Sequence, residues 1–102
     1  MKRVCVIGAG PSGLAAARNA IQAGLGDGLV VFEKSGEVGG TWVFREGAGH
    51  SSVYESTHII SSKYHSAYED FPFPEGTADY PSHRELRRYF ESYATHFGVH
   101  GK

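Results

Sequence analysis

The chain has 102 residues, of which 40% are hydrophobic and 21% are charged, and its formal net charge at pH 7 is −1. This composition is typical of a globular domain, and it excludes a long disordered tract or a polybasic arm that binds nucleic acid. No apolar run is long enough to cross a bilayer, and no signal peptide is recognisable. Cys5 is the only cysteine, so an internal disulfide is impossible and a reducing, cytoplasmic location is expected. We expect Cys5 itself to be a small buried residue of the first strand.

The first elements along the chain follow the order strand, helix, strand. The apolar residues 4–7 predict a β-strand, and the alanine-rich residues 14–23 predict a helix that ends at Gly24. Pro11 lies near the first helical position, where its missing N–H is harmless. Residues 29–32 are again apolar, which predicts a second, buried strand parallel to the first. The pattern indicates a βαβ unit.

The turn after the first strand carries a glycine fingerprint. Gly8, Gly10 and Gly13 fit the pattern G-x-G-x-x-G, and Glu33 follows Gly13 by twenty residues. In this pattern the first glycine makes a tight turn, the second lets a pyrophosphate approach the backbone, and the third lets the helix pack against the strand. The acid at the end of the second strand accepts hydrogen bonds from a ribose, which favours FAD or NAD over NADP. Two simpler explanations stay open: the glycines serve packing alone, or Glu33 is a solvated charge paired with Lys34.

Residues 35–81 show little periodicity and contain many glycines and prolines. Residues 53–62 allow a short strand, but their pattern does not require one. A long irregular stretch in a small protein is more often functional than merely connecting. Six aromatic residues are expected to bury enough area to order this stretch. They are Tyr54, Tyr64, Tyr68, Phe71, Phe73 and Tyr80.

The last predicted element is an amphipathic helix. Ser82 and Glu85 form a capping-box pattern, so the helix is expected to begin directly after Ser82. Gly98 is expected to end it. Residues at helical spacing make one apolar face, which is more typical of core packing than of a ligand site. They are Leu86, Phe90, Tyr93 and Phe97.

No catalytic residue can be assigned from the sequence. There is no G-x-S-x-G nucleophile elbow and no paired-cysteine or HExxH metal pattern, so we predict no metal site. The six histidines are scattered along the chain. They are His50, His58, His65, His83, His96 and His100.

The fold class that follows is α/β: a Rossmann-like βαβ unit with an incomplete doubly wound parallel sheet, then an irregular segment and an amphipathic helix. A doubly wound fold needs several parallel strands, and only two are recognisable here. A further strand is expected after the last helix. We therefore interpret residues 1–102 as the N-terminal part of an FAD/NAD(P)-binding domain in a longer protein.

The stretch that follows the second strand is specific enough to suggest a family. Residues 33–42 read EKSGEVGGTW, and together with residues 8–13 they resemble the start of a flavin-containing monooxygenase or of its Baeyer–Villiger relatives. Later stretches resemble the flavin-containing monooxygenases in particular, so the resemblance runs from about residue 3 to residue 99. These stretches are residues 53–56 (VYES), 61–63 (SSK), 70–74 (DFPFP), 80–81 (YP) and 93–98 (YATHFG).

The resemblance implies FAD as cofactor. It places the pyrophosphate on the fingerprint loop, the adenosine ribose at Glu33, and the ribityl and flavin end along residues 40–42. The residues that it assigns to FAD are Gly8, Ala9, Gly10, Pro11, Ser12, Gly13, Glu33, Gly40, Thr41, Trp42 and Ser61. Simple core packing remains an alternative role for Trp42.

The resemblance also implies that the complete enzyme takes a hydride from NADPH and oxygenates a small molecule with a soft nitrogen or sulfur nucleophile. The NADPH site is expected outside these residues, because only one G-x-G-x-x-G is present. Two alternatives are another two-dinucleotide flavoprotein, such as an amine oxidase, and a nucleotide-binding fragment without activity. The redox cysteine pair of the disulfide reductases is absent.

One residue departs from the family pattern. The family commonly has Asn directly before the Ser-Ser-Lys run, near the flavin and the nicotinamide, whereas this chain has Ile60. An isoleucine side chain can neither donate nor accept a hydrogen bond. We therefore expect oxygenation to be less tightly coupled to NADPH consumption, unless His58 compensates.

Overall fold

The βαβ unit predicted from the sequence is present. A computed structural model describes residues 2–45 and 53–102. Strands β1 (Val4–Ile7) and β2 (Leu29–Phe32) pair in parallel, with Val4 opposite Leu29 and Ile7 opposite Phe32. Helix α1 (Pro11–Ala20) connects them and begins with Pro11 at its first turn, as predicted.

The helix ends also follow the sequence prediction. A π-helical turn (Ile21–Leu25) extends α1 and is broken at Gly24, where φ is +85°. Helix α3 (His83–His96) is followed by Gly98, whose φ is +75°. Residues other than glycine rarely adopt such positive φ values, so the chain can leave both helices at these positions.

The two faces of the sheet differ in their surroundings. Leu29 is buried, and Val4, Val6 and Val31 pack against the same core. The opposite face carries Cys5, Ile7, Val30 and Phe32, which the register places in two cross-strand pairs. All four are exposed, with Ile7 at 86% and Phe32 at 60%. The predictions of a buried Cys5 and of a buried second strand were therefore wrong for this face, because in the described residues helices α1 and α3 cover only the other one.

Helix α3 provides most of the core. Its N-terminus is a complete capping box, since Ser82 accepts a hydrogen bond from the Glu85 amide and Glu85 accepts one from the Ser82 amide. The helix packs against α1, whose Leu14 and Ala17 are fully buried. The predicted apolar face is confirmed, although Phe97 is only partly buried and Tyr89 also belongs to it.

The irregular segment, residues 53–81, contains no regular strand. The region allowed as a strand forms only an isolated antiparallel bridge between His58 and Ser82, and a short helix α2 (Lys63–Ser66) follows it. Tyr68, Phe71 and Phe73 pack onto the core, as expected for ordering aromatic residues. Tyr54, Tyr64 and Tyr80 are exposed, so that expectation was wrong for half of the set.

The last described residue lies beside the sheet. The carbonyl oxygen of Lys102 accepts a hydrogen bond of 3.0 Å from the Val31 amide, so this residue lies along β2.

None of the helices in residues 2–45 and 53–102 combines the length and apolar character that crossing a bilayer requires.

Candidate functional site

The fingerprint loop lies at the C-terminal end of β1 and is tightly packed. The Gly8 amide donates a hydrogen bond of 2.7 Å to the carbonyl oxygen of Phe32, which joins the loop to the end of β2. A Cβ atom on Gly13 would lie 2.0 Å from the carbonyl oxygen of Gly8. No side chain fits there, so the role predicted for Gly13, close packing of helix against strand, agrees with the geometry.

Gly10 lies in a different environment. A Cβ atom on Gly10 would meet Gly40 Cα at 3.6 Å, which is an ordinary van der Waals contact. The backbone of Gly10, with φ of −80°, is also open to other residues. The packing and the backbone of Gly10 would therefore accept a Cβ atom, so neither of them requires glycine over alanine at this position.

Two glycine segments meet at this point. The Gly39 amide donates a hydrogen bond of 2.9 Å to the carbonyl oxygen of Ala9, and the short 3₁₀ turn Gly40–Trp42 starts directly beside Gly10. The structure thus brings residues 8–13 and residues 40–42 together, although they are far apart in sequence.

The N-terminus of α1 belongs to the same loop and carries free amides. Gly10 is the N-cap, and no side chain caps this helix end in the described part of the chain. The amides of Ser12 and Gly13 belong to the first turn, whose N–H groups have no partner inside the helix. Free amides at the positive end of a helix dipole form a binding site for an anion such as a diphosphate.

Glu33 is bound to the fingerprint loop rather than to Lys34. One carboxylate oxygen accepts a hydrogen bond of 2.9 Å from the Ala9 amide, and the other accepts one of 2.9 Å from the Ser35 amide. These two backbone bonds, the one from Ala9 foremost, lower the pKa of Glu33 from its ordinary value. Each oxygen keeps a further lone pair, so the carboxylate can still accept hydroxyl groups of a ligand.

An open cavity of about 230 Å³ adjoins this carboxylate. Besides Glu33, its lining includes Ser35, Gly36, Glu91 and His100. The cavity continues from Glu33 toward Glu91 on α3.

Glu37 has a structural role that the sequence did not reveal. It accepts hydrogen bonds from both Arg45 and Arg87, and Arg87 lies on α3. The bond from Arg45 contributes most to lowering the pKa of Glu37 below its ordinary value. The bond from Arg87 fastens the segment before Gly39 and Gly40 to the core helix α3. The partners are 8 and 50 residues apart, so no local pattern could have indicated them.

The remaining candidate residues are less tightly grouped. Trp42 is partly buried and packs against the core, which is the alternative role considered for it from the sequence. Ser61 is exposed and hydrogen-bonded to Ser66, and in the described residues no hydrogen bond links it to the fingerprint loop. Ile60 is 98% exposed.

The described residues contain no group of three His, Cys, Asp or Glu side chains that could hold a metal ion. His50 lies outside the described residues. His83 is 2% exposed, and one of its ring nitrogens lies 2.8 Å from the carbonyl oxygen of Glu55. That histidine is a structural residue of the core.

Known proteins resemble this chain over nearly its whole length. It is 41% identical over 100 residues to flavin-containing monooxygenase 1 of Homo sapiens, a match that covers 96% of this chain and 18% of the human protein. The solved structure of S-allyl-L-cysteine S-oxygenase from Allium sativum superimposes with a TM-score of 0.83 at 30% identity, covering 95% of this chain and 26% of that one. A flavin-containing monooxygenase from Stenotrophomonas maltophilia gives a TM-score of 0.73 at 27% identity, covering 94% of this chain and 26% of that one.

The chain thus spans less than a fifth of the length of this human relative. Residues 1–101 match the protein family described as flavin-binding monooxygenase-like. Members of this family are enzymes that bind FAD and use NADPH. The sequence resemblance is thereby confirmed: this chain belongs to the flavin-binding monooxygenase-like family.

Proposed function

We propose that this chain binds the FAD of a flavoprotein monooxygenase, with the diphosphate on residues 8–13. The observation that carries the proposal is the contrast between two glycines. Gly13 is required by packing, because its Cβ would lie 2.0 Å from a carbonyl oxygen, whereas Gly10 has room for a Cβ at 3.6 Å from its nearest neighbour. A ligand that approaches the backbone explains why Gly10 lacks a side chain.

The chemistry of the site fits the adenosine half of FAD. Glu33 is ionised and anchored by two amides, so its free lone pairs can accept the ribose hydroxyls without further movement. The same negative charge disfavours a 2′-phosphate. The cavity toward Glu91 and His100 provides space for the adenine. We assign Gly40, Thr41 and Trp42 to the ribityl and flavin end, and the position of Gly40 beside Gly10 supports this assignment. Ser61 is assigned there by resemblance alone.

In the complete protein we propose NADPH-dependent oxygenation of small molecules with soft nitrogen or sulfur nucleophiles. The relative from Allium sativum is named as an S-oxygenase of S-allyl-L-cysteine, which supports a sulfur substrate. FAD supplies the hydride-accepting and oxygen-activating chemistry when bound. The residues of this chain bind and orient it, and the NADPH and substrate sites belong to other parts of the protein.

The test is Gly10→Ala in the protein expressed over its full coding length, with Gly101→Ala as the matched control. A Cβ on Gly101 meets nothing within 4 Å, and its backbone does not have a positive φ. We expect Gly10→Ala to weaken FAD binding roughly tenfold or more while the unfolding temperature of the flavin-free protein stays near that of the wild type. Flavin absorbance and titration calorimetry give the affinity.

The outcome that contradicts the proposal is unchanged FAD affinity in Gly10→Ala. A wild-type protein that binds no flavin would instead favour the fragment without activity. Flavin binding without NADPH oxidation, tested with a dialkyl sulfide and a tertiary amine, would favour another kind of flavoprotein.

A further inference from the structure

The phenol of Tyr68 contacts the proposed FAD site from the irregular segment. Its hydroxyl donates a hydrogen bond of 2.5 Å to the carbonyl oxygen of Pro11, which lies 57 residues away in sequence. Pro11 occupies the first turn of α1, where the free amides of Ser12 and Gly13 lie. A side chain outside the fingerprint therefore holds the peptide unit that begins the diphosphate-binding turn.

The position of Tyr68 is itself fixed by other residues. Its amide donates a hydrogen bond of 2.8 Å to the Tyr89 hydroxyl, which in turn donates one to the carbonyl oxygen of Phe71. Its ring lies 4.1 Å from the ring of Tyr93, measured between centroids. Tyr89 and Tyr93 are buried residues of α3, so the Tyr68 hydroxyl is presented to Pro11 from a rigid support.

The chain around Tyr68 also contacts the C-terminal end of α1. Residues 68–71 close a tight turn, in which the Phe71 amide donates a hydrogen bond of 3.1 Å to the carbonyl oxygen of Tyr68. Asp70, within this turn, forms an ion pair with Arg18 near the end of α1. The 68–71 turn thus lies along α1 and contacts both of its ends.

The phenol is a neutral donor across the physiological range. Burial, reinforced by the neighbouring Tyr93 and Tyr89, raises the pKa of Tyr68 well above its ordinary value. Its hydrogen bond to the Pro11 carbonyl is consequently insensitive to pH near neutrality.

We propose that Tyr68 is a positioning residue for FAD, which fixes the first turn of α1 so that its amides meet the diphosphate. This inference rests on the proposed FAD site. Within residues 2–45 and 53–102, three other hydrogen bonds join the fingerprint loop to distant residues: the Gly8 amide to Phe32, the Ala9 amide to Glu33, and the Gly39 amide to Ala9. All three lie on its β-strand side. Tyr68 supports the helix side, where the anion binds.

The experiment compares Tyr68→Phe with Tyr93→Phe in the full-length protein. Both changes remove one phenol oxygen from the same aromatic cluster, but in the described residues the Tyr93 hydroxyl makes no hydrogen bond to the fingerprint loop. We expect Tyr68→Phe to weaken FAD binding about three- to tenfold, the effect of one lost hydrogen bond. The phosphorus NMR resonances of bound FAD should shift in Tyr68→Phe and stay in place in Tyr93→Phe.

Two results would overturn the inference. One is an FAD affinity and a phosphorus spectrum of Tyr68→Phe that match the wild type. The other is a loss of affinity in both variants in proportion to their loss of unfolding temperature, which would indicate general packing. A wild-type protein without FAD affinity would refute the proposed function itself. Amide exchange at Leu14, whose N–H donates a hydrogen bond of 3.0 Å to the carbonyl oxygen of Gly10 across this turn, would separately show whether the hydroxyl holds it, since Tyr68→Phe should accelerate the exchange and an unchanged rate would refute the contact.

Discussion

Residues 4–33 and residues 53–81 are held in place by different means. In the first region, strand pairing, helix packing and the close approach of Gly13 to the carbonyl oxygen of Gly8 fix the backbone. In the second, two isolated bridges, one short helix and side-chain bonds to distant backbone groups do so. The first region therefore tolerates little change in its backbone, whereas the second depends on a few side chains, Tyr68 above all.

The largest expected effect is on the fold of the first region. In Gly13→Ala the new Cβ would lie 2.0 Å from the carbonyl oxygen of Gly8, so α1 must move away from β1. We expect a loss of stability at or above the upper end of the ~1–3 kcal/mol that overpacking costs. In the irregular segment, Gly76→Ala meets no atom within 4 Å and has only its φ of +84° to oppose it, which costs about 1 kcal/mol. Urea unfolding of both variants measures the difference, and equal losses would contradict the comparison.

The next effect concerns Glu33, whose carboxylate joins the end of β2 to the fingerprint loop. In Glu33→Gln one of the two amide donors keeps only a neutral acceptor, the other faces an NH₂ group that cannot accept, and the ribose loses its charged partner. A hydrogen bond to a charged group is worth about 1.5–3 kcal/mol, so we expect FAD to bind roughly ten- to a hundredfold more weakly. Glu75→Gln is the control, because Glu75 is an exposed carboxylate of the irregular segment. Calorimetry that finds the two variants equal would show that Glu33 is not the ribose ligand.

The same carboxylate predicts how the wild type responds to acid. The folded-state pKa of Glu33 is lowered, so its stabilising contribution is present above the unfolded value of about 4.3 and is lost as the pH falls through the folded value. Glu37 has the same sign. The free energy of unfolding should therefore decline below about pH 5, and Glu33→Gln should make this decline shallower. An equally steep decline in the variant would show that other groups are responsible.

The local elements of the fold could be predicted from the sequence. The strands, the helix ends and the capping box were predicted because each is a local pattern, such as Ser82 with Glu85 or Gly98 after a helix. The fingerprint predicted the candidate site for the same reason. The exposure of Cys5 was not predictable, because it depends on which face of the sheet the distant helix α3 covers.

The contacts that organise the site across long distances were also missed. The sequence identifies Tyr68 only as one of six aromatic residues, and nothing in its neighbourhood indicates a bond to Pro11, 57 positions away. Glu37 with Arg87 is a similar case, 50 positions apart. Such pairs follow from tertiary packing, which periodicity does not encode.

Ile60→Asn is expected to change stability least among these variants, but it should have a specific effect on function. Ile60 is 98% exposed in the irregular segment, so its replacement should change stability by no more than about 0.5 kcal/mol. The resemblance places this position near the flavin and the nicotinamide, where an asparagine side chain can both donate and accept a hydrogen bond and isoleucine can do neither. In the full-length wild type we expect a large share of the NADPH oxidised to end as hydrogen peroxide, and we expect Ile60→Asn to lower that share.

The measurement is the amount of peroxide released per NADPH oxidised, with a sulfide substrate present. Little peroxide from the wild type would mean that another group, such as His58 two residues away, supplies the missing contact, and His58→Ala should then raise the peroxide share.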